Sequence, residues 1–295
     1  MPDHIAPVVV EAKTEKTVLQ ARGMHERGLS LEALREVGPV LAAEHPPVEA
    51  MRLRQDILRM RGRTPLLRSE AEERLAKAPM DPIALYLQAR VQAPGEAQLA
   101  LFRQAAEAGP EQLWPWLGMA FALRQTEPEA ALEIYERLYR ASGRYPAAAI
   151  GYAQLLRAMG KANEALAVYE QLAASGQAPG IGELGIAQTA FVAGDLKKSW
   201  AALLPALRLR PYDPGVHTMV RELPRGGLID DLGEQVLDTL REDPVRWQDF
   251  ARGNGLEVLV PTLLRAQQPM AALRDRKSTR LNSSHSSVSR MPSSA

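Results

Sequence analysis

Residues 147–175 read AAAIGYAQLLRAMGKANEALAVYEQLAAS, and this stretch decides the fold class. Apolar residues recur at helical spacing as far as Met159, Gly160 interrupts the pattern, and a second helical pattern begins near Asn163. Two short helices joined by a tight turn cannot both bury an apolar face without neighbours. The stretch therefore predicts a helix pair that stacks against further pairs.

Proline residues mark the same unit along most of the chain. Proline suits the first turn of a helix because the N–H that it lacks would be unpaired there, and a preceding aspartate can cap that turn. This form predicts helix starts at Asp81-Pro82, Asp213-Pro214 and Asp243-Pro244. Intervals of 31 to 36 residues, typical of a helical repeat, separate Pro46, Pro79, Pro110, Pro146, Pro179, Pro211 and Pro244.

The segment 111–138, EQLWPWLGMAFALRQTEPEAALEIYERL, resembles a tetratricopeptide repeat. The first-helix signature is matched by Trp114, Leu117, Gly118 and Phe121, and the second helix by Ala131 and Tyr135. Parts of the signature recur at Gly28, Ala33, Phe102, Ala105, Pro110, Gly160, Ala165, Tyr169, Gly194, Ala206 and Pro211. The resemblance implies an all-α, right-handed superhelical solenoid of helix-turn-helix repeats, each of about 34 residues. We expect about seven repeats over residues 13–274, with the best match over 81–211, and Pro205 should kink or interrupt its helix.

Both ends of the chain differ in character from this body. We expect residues 1–12 to be a flexible segment. Residues 275–295, DRKSTRLNSSHSSVSRMPSSA, resemble a translated sequencing adapter; the alternative is an ordinary disordered Ser-rich tail. We therefore expect a truncated fragment with a non-native tail. The apolar run LEVLVPTLLRAQQPMAAL (256–273) would then stay uncovered, so that the chain self-associates through this end.

Composition excludes several classes of function. The chain has no cysteine, which excludes disulfides and thiolate chemistry. Leaving out residues 275–295, with four basic residues and one acidic residue, changes the net charge from +1 to −2 and gives no reason to expect nucleic acid as a partner. The start lacks a basic leader region, and no run of about 18 apolar residues occurs. We expect a cytoplasmic protein that has no membrane partner.

No residue pattern points to chemistry. The four histidines of the body, His4, His25, His45 and His217, lack metal-ligand spacing. The glycines of PGIGELG, residues 179–185, lack the form of a phosphate-binding loop. The adjacent carboxylates Asp230 and Asp231, like Glu72 and Glu73, belong to polar helix faces. We expect no catalytic residue, metal or cofactor.

Repeat proteins of this kind bind extended peptides or partner helices in a concave groove lined by the first helices. Alignment on Gly118, Gly160 and Gly194 implies a peptide-binding groove of Gln112, Met119, Leu123, Ile150, Gln154, Arg157, Leu184, Gln188 and Phe191. The lysine and asparagine clamp of the chaperone-binding subgroup is missing. Trp114 is expected in the core, and Trp116 has more chance of exposure.

The sequence thus predicts a non-enzymatic scaffold that binds a protein or peptide partner. One alternative is the N-terminal regulatory or substrate-recruiting region of a larger, truncated enzyme or sensor. An RNA-binding repeat is a third reading, but the groove is not basic and no base-reading pair recurs.

Overall fold

The computed structural model describes residues 4–8, 10–222, 232–253 and 255–265. Over these residues the chain forms α-helices and no strand, which confirms the all-α prediction. The helices are α1 (Ala12–Glu26), α2 (Ser30–Leu41), α3 (Val48–Met60), α4 (Thr64–Lys77), α5 (Pro82–Val91), α6 (Glu96–Ala108), α7 (Leu113–Leu123), α8 (Pro128–Ala141), α9 (Pro146–Ala158), α10 (Ala162–Ser175), α11 (Ile181–Val192), α12 (Leu196–Leu209), α13 (Pro214–Glu222), α14 (Leu232–Arg241), α15 (Pro244–Arg252) and α16 (Gly255–Arg265).

The chain divides into two compact units, Met1–Gly185 and Ile186–Ala295, and the boundary lies within α11. In the first unit, each odd-numbered helix from α1 to α9 packs against the even-numbered helix that follows it. Each odd-numbered helix from α1 to α7 also contacts the next odd-numbered helix. Every pair therefore buries its apolar faces against its neighbours, which is the architecture of a helical repeat solenoid.

Helix starts follow the predicted aspartate and proline signals. The side chain of Asp81 accepts a hydrogen bond from the N–H of Ala84 at 2.6 Å, and α5 begins at Pro82. Asp243 caps α15 in the same way, through the N–H of Val245 at 2.8 Å. The side chain of Asp213 accepts from Gly215 N–H at 2.8 Å before α13. All three predicted starts are confirmed. Each carboxylate accepts from an N–H that the helix would otherwise leave unpaired.

The expected interruption at Pro205 does not occur, since α12 continues through it to Leu209. Proline cannot donate to the carbonyl four residues earlier, which here belongs to Ala201. Ala201 is exposed, so water can reach the face on which that hydrogen bond is missing. The helix therefore tolerates the proline.

In the second unit, buried polar side chains help to position the helices. Ser199 of α12 donates to the carbonyl of Ala187 in α11 at 2.8 Å, and Trp200 Nε1 donates to the Gln235 side chain of α14 at 2.9 Å. The apolar core of this unit includes Leu203, Leu207, Val216, Val220, Val236, Leu237, Leu240 and Phe250. Each described helix from α12 to α15 thus contributes to one core.

The N-terminal segment also contacts the first unit. Ile5 is only 2% exposed, and the N–H of Ala6 donates to the carbonyl of Glu111 in the turn before α7, at 2.8 Å. These residues belong to the segment 1–12, which we predict to be flexible. The predicted tail 275–295 and residues 266–273 of the apolar run lie outside the described residues.

Candidate functional site

Three glycines set the register of the first helices. A Cβ atom at Gly118 would lie 2.3 Å from Cε1 of Phe102 in the preceding helix, so only glycine fits there. The same contact joins two further pairs of residues, again at 2.3 Å, and these pairs are Gly151 with Tyr135 and Gly185 with Tyr169. Gly118, Gly151 and Gly185 therefore occupy equivalent positions in α7, α9 and α11.

This register corrects the alignment on Gly118, Gly160 and Gly194, which is wrong. Gly160 and Gly194 have φ of 77° and 82° and end the first helix of their pairs. A positive φ favours glycine for its backbone freedom, whereas Gly118 is required for close packing. In α7 the positions that correspond to Gln154 and Arg157 of α9 are therefore Phe121 and Arg124.

The predicted groove residues differ in how much surface they present. Leu123 and Leu184 are buried, at 4% and 9% exposure, within the packed helix layers. Gln154 is exposed. The remaining six are half-buried: Gln112, Met119, Ile150, Arg157, Gln188 and Phe191. Of the predicted residues in the first unit, Gln154 and Arg157 on α9 occupy the positions that correspond to Phe121 and Arg124 on α7.

Phe121 is a large apolar side chain that the alignment left out of the groove. It is 55% exposed, and the guanidinium of Arg124 lies 3.7 Å above the centre of its ring. Phe121 follows Trp114 by seven residues, so that both lie on the same face of α7. Trp114, as predicted, is in the core at 5% exposure, and the half-buried Trp116 donates to the carbonyl of Pro110 at 2.8 Å.

Trp114 lies in a set of side chains that we call the inner cluster: Glu49, Arg52, Tyr86, Trp114 and Tyr145. The Trp114 ring lies 6.4 Å from the ring of Tyr86 in α5 and 5.9 Å, edge to face, from the ring of Tyr145 before α9. The Arg52 guanidinium of α3 lies 4.1 Å from the centre of the Trp114 ring. Aromatic rings thus link first helices of successive pairs.

The inner cluster identifies the concave side of the first unit. The hydroxyl of Tyr145 donates to the carboxylate of Glu49 at 2.6 Å, although these residues are 96 positions apart. Between them lie the helix pairs of α5 and α7. Side chains of α3 and of the start of α9 can meet only where the stacked pairs curve towards each other. The first helices therefore line the inner face of this unit.

Arg90 of α5 is paired with side chains of α3 at the edge of this cluster. It donates through Nη2 to Asp56 at 2.6 Å and through Nε to Gln55 at 2.8 Å. Gln55 in turn donates to the carbonyl of Leu87 at 3.1 Å. Burial acts to lower the pKa of Arg90, but interactions with Tyr86 and Asp56 outweigh it and raise that pKa. These bonds fix α3 against α5.

Arg52 and Arg22 differ from Arg90 because they form no ion pair among the described residues. Neither has a carboxylate within ion-pair distance in the described parts of the chain, and Nε of Arg52 is buried without a hydrogen-bond partner. Burial lowers the pKa of Arg52, and the charges of Arg90 and Arg22 lower it further. Burial also raises the pKa of Tyr145, with the Glu49 carboxylate adding to the effect. The Tyr145 hydroxyl therefore stays neutral, while the pKa of Arg52 is lowered even though Tyr86 and Asp56 favour its charge.

A second concavity lies between α3 and α4. It has a volume of about 290 Å³ and an apolar floor that includes Met51, Leu67 and Leu87. At its wall Arg54 and Glu70 form a two-bonded ion pair, with distances of 2.5 and 2.8 Å. The Glu70 hydrogen bond raises the pKa of Arg54. These two charges satisfy each other at the concavity, which Arg74 also lines.

The histidines and paired carboxylates considered in the sequence form no candidate site among the described residues. His217 is buried: its Nε2 lies 2.6 Å from the carbonyl oxygen of Pro211, and its ring packs edge to face on Phe250 at 4.8 Å. His4 and His45 are exposed and His25 is half-buried. Among the described residues, histidine and carboxylate side chains form no group that could hold a metal ion. Asp230 and Asp231 lie outside the described residues.

The remaining glycine-rich stretch is a close-packed helix start. A Cβ at Gly182 would lie 2.5 Å from the backbone nitrogen of Ala173.

The described helices include none that is long and apolar enough to cross a membrane.

Known proteins resemble the chain in sequence over three helices and in fold over most of its length. Residues 122–180, which span α8 to α10, match the family model described as Tetratricopeptide repeat. No curated protein matches the sequence.

Solved structures share the helical repeat architecture. The crystal structure of the APC/C hetero-tetramer Cut9-Hcn1 matches 88% of this chain with a TM-score of 0.58 and 12% identity; our chain spans 54% of the length of that chain. TTC0263, a thermophilic TPR protein of Thermus thermophilus, matches with 23% identity and a TM-score of 0.45, covering 58% of this chain and 94% of its own. A tetratricopeptide repeat protein from Parabacteroides merdae ATCC 43184 matches with 12% identity and a TM-score of 0.49, covering 82% and 99%. Residues 122–180 thus match the tetratricopeptide repeat family, and the stacked helix pairs have the helical repeat fold.

Proposed function

We propose that the chain is a non-enzymatic scaffold that binds a peptide or partner helix on the concave face of its first unit. The tetratricopeptide repeat fold supports a role in protein interaction in general. What supports the proposal further is the exposed Phe121 with Arg124 stacked on its ring, on the same helix as Trp114 of the inner cluster. Aromatic and arginine side chains are enriched in the buried parts of protein interfaces.

The neighbouring helix supplies polar groups for the same ligand. Gln154 and Arg157 of α9 occupy the positions that correspond to Phe121 and Arg124 of α7. A side-chain amide can both donate to and accept from a peptide backbone. We therefore expect an apolar side chain of the ligand on Phe121 and its backbone along α9. On α11, Gln188 and Phe191 hold the positions that correspond to Gln154 and Arg157 on α9. We propose both as ligand-contacting residues of the second unit.

Peptide selection on the full chain tests this function. A displayed library of random peptides of about 12 residues should yield binders whose affinity falls at least tenfold in Phe121→Ala, the loss expected when a central interface aromatic is truncated. Gln154→Ala should weaken binding less, because side-chain hydrogen bonds in a solvated groove contribute only about 1 kcal/mol.

The matched control is Leu66→Ala, which removes an apolar side chain that is 48% exposed on the second helix α4. It should leave peptide affinity unchanged. Binders whose affinity falls in Leu66→Ala but not in Phe121→Ala would place binding on another face. A library without binders would contradict peptide recognition altogether.

A further inference from the structure

Residues 4–8, which we call the strap, pack on the first unit as a bound peptide would. Ile5 is 2% exposed, although the strap forms no helix and its Pro7 is exposed. The N–H of Ala6 donates to the carbonyl of Glu111, in the turn before α7, at 2.8 Å. A buried anchor side chain and a main-chain hydrogen bond to the scaffold are the contacts by which extended peptides are recognised.

The turn that receives the strap is held in place by contacts of its own. Trp116 Nε1 donates to the carbonyl of Pro110 at 2.8 Å. A Cβ atom at Gly109 would lie 2.8 Å from the ring of Pro82, so the turn also packs closely on the start of α5. Neither contact involves the strap. The carbonyl of Glu111 therefore keeps its place when the strap leaves, and the site is preformed.

The sequence of the strap, HIAPV, shows which ligand this site takes. Ile5 supplies a branched aliphatic anchor, and the half-buried Ala6 is small and supplies the N–H. Pro7 disfavours a helical backbone at the residue before it and so keeps Ala6 extended. Its lack of an N–H also means that no further acceptor is needed. The site thus fits an aliphatic residue, a small residue and a proline in succession.

We propose that the start of α7 carries a second peptide site, which takes an extended peptide of this pattern and which the chain's own strap occupies. This inference goes beyond the proposed function, because Phe121 follows Glu111 by ten residues, about 15 Å along the helix direction. The two sites therefore take different parts of a ligand or different ligands.

A short tether keeps this second site closed. Three residues separate the strap from α1, which begins at Ala12. Such a link gives the strap a local concentration of about 1 mM, so an intrinsic Kd of about 0.1 mM keeps it bound in about nine molecules of ten. A partner peptide of the same pattern must displace the strap.

Binding in trans to the full chain tests this site. The probe is a fluorescein-labelled peptide with the sequence of residues 4–11, HIAPVVVE, followed by fluorescence anisotropy. Ile5→Asp in the chain should release the strap, because a carboxylate is costly to bury in an apolar site. The peptide should then bind this variant about tenfold more tightly than the wild type, since the strap no longer competes. His4→Asp, the same new charge at an exposed position, should bind the peptide as the wild type does.

Changes in the peptide separate the anchor from the backbone contact. Replacing its isoleucine, Ile5→Asp, should abolish binding to the Ile5→Asp chain. Ala6→Pro in the peptide removes the donated N–H and should weaken binding by about two- to tenfold, the loss expected for one hydrogen bond. Adding Phe121→Ala to the Ile5→Asp chain should leave the peptide affinity unchanged.

The outcomes decide between the alternatives. Equal affinity of the wild-type and Ile5→Asp chains, or no binding at about 1 mM peptide, overturns the proposal. A loss of affinity in Phe121→Ala would show that the two sites are one. If Ile5→Asp loses its helical circular dichroism, Ala6→Pro in the chain replaces it, and the proposal fails unless this variant also binds the peptide more tightly than the wild type. A random library without Phe121-dependent binders would contradict the proposed function alone.

Discussion

At the scale of single residues, each helix pair uses glycine for two different purposes. Gly151 allows the ring of Tyr135 to lie against the backbone of α9, whereas Gly160 supplies the positive φ that ends this hairpin's first helix. Spacing in the sequence does not distinguish the two. The helix pairs could therefore be predicted from periodicity, but the register of the groove could not.

Substitution of Gly151 by alanine should destabilise the protein by about 1–3 kcal/mol, because the new methyl group overlaps the Tyr135 ring. Gly23→Ala is the matched control, since the nearest atom to its added Cβ is the flexible end of Arg27 at 3.9 Å. That change should be neutral or stabilise α1 by about 0.5–1 kcal/mol through helix propensity. Urea unfolding monitored by circular dichroism measures both. Equal effects would show that the glycine–aromatic contact does not constrain packing.

At the scale of elements, buried polar groups connect helices in both units. His217 of α13 joins the turn before that helix to Phe250 of α15. Burial lowers the pKa of His217, despite the opposing effect of hydrogen bonds to the backbone of Pro211 and Gly253. The folded state therefore binds this proton less readily than the unfolded state, so its contribution to stability is present above the unfolded pKa of about 6.5 and falls as the pH drops below that value.

His217→Gln should flatten the dependence of stability on pH between about pH 7.5 and about pH 5.5. The variant should be less stable than the wild type at the upper pH, because it loses the contact with Phe250, and this deficit should shrink at the lower pH. Thr218→Ala, an exposed change on the same helix, should keep the wild-type slope. A His217→Gln deficit that stays constant with pH would mean that the histidine does not titrate as its burial implies.

At the scale of the whole molecule, the repeat architecture was predictable and the inner cluster was not. The period of the prolines and the paired helical patterns follow from local sequence, so the fold class and the Asp-Pro helix starts could be predicted. Glu49 and Tyr145 meet only through the curvature of several stacked pairs, and the helix that carries Glu49 and Arg52 has few signature residues. A contact set by accumulated curvature leaves no pattern in one repeat.

Hydrogen exchange of the full chain, with and without the tightest peptide from the random library, tests the central claim most directly. Binding on the concave face should slow backbone exchange in α7 and α9, the first helices of their pairs, and leave α8 and α10 unchanged, because ligand contacts suppress local opening where they form. Protection confined to α8 and α10, or spread evenly over all four helices, would contradict a concave peptide-binding face.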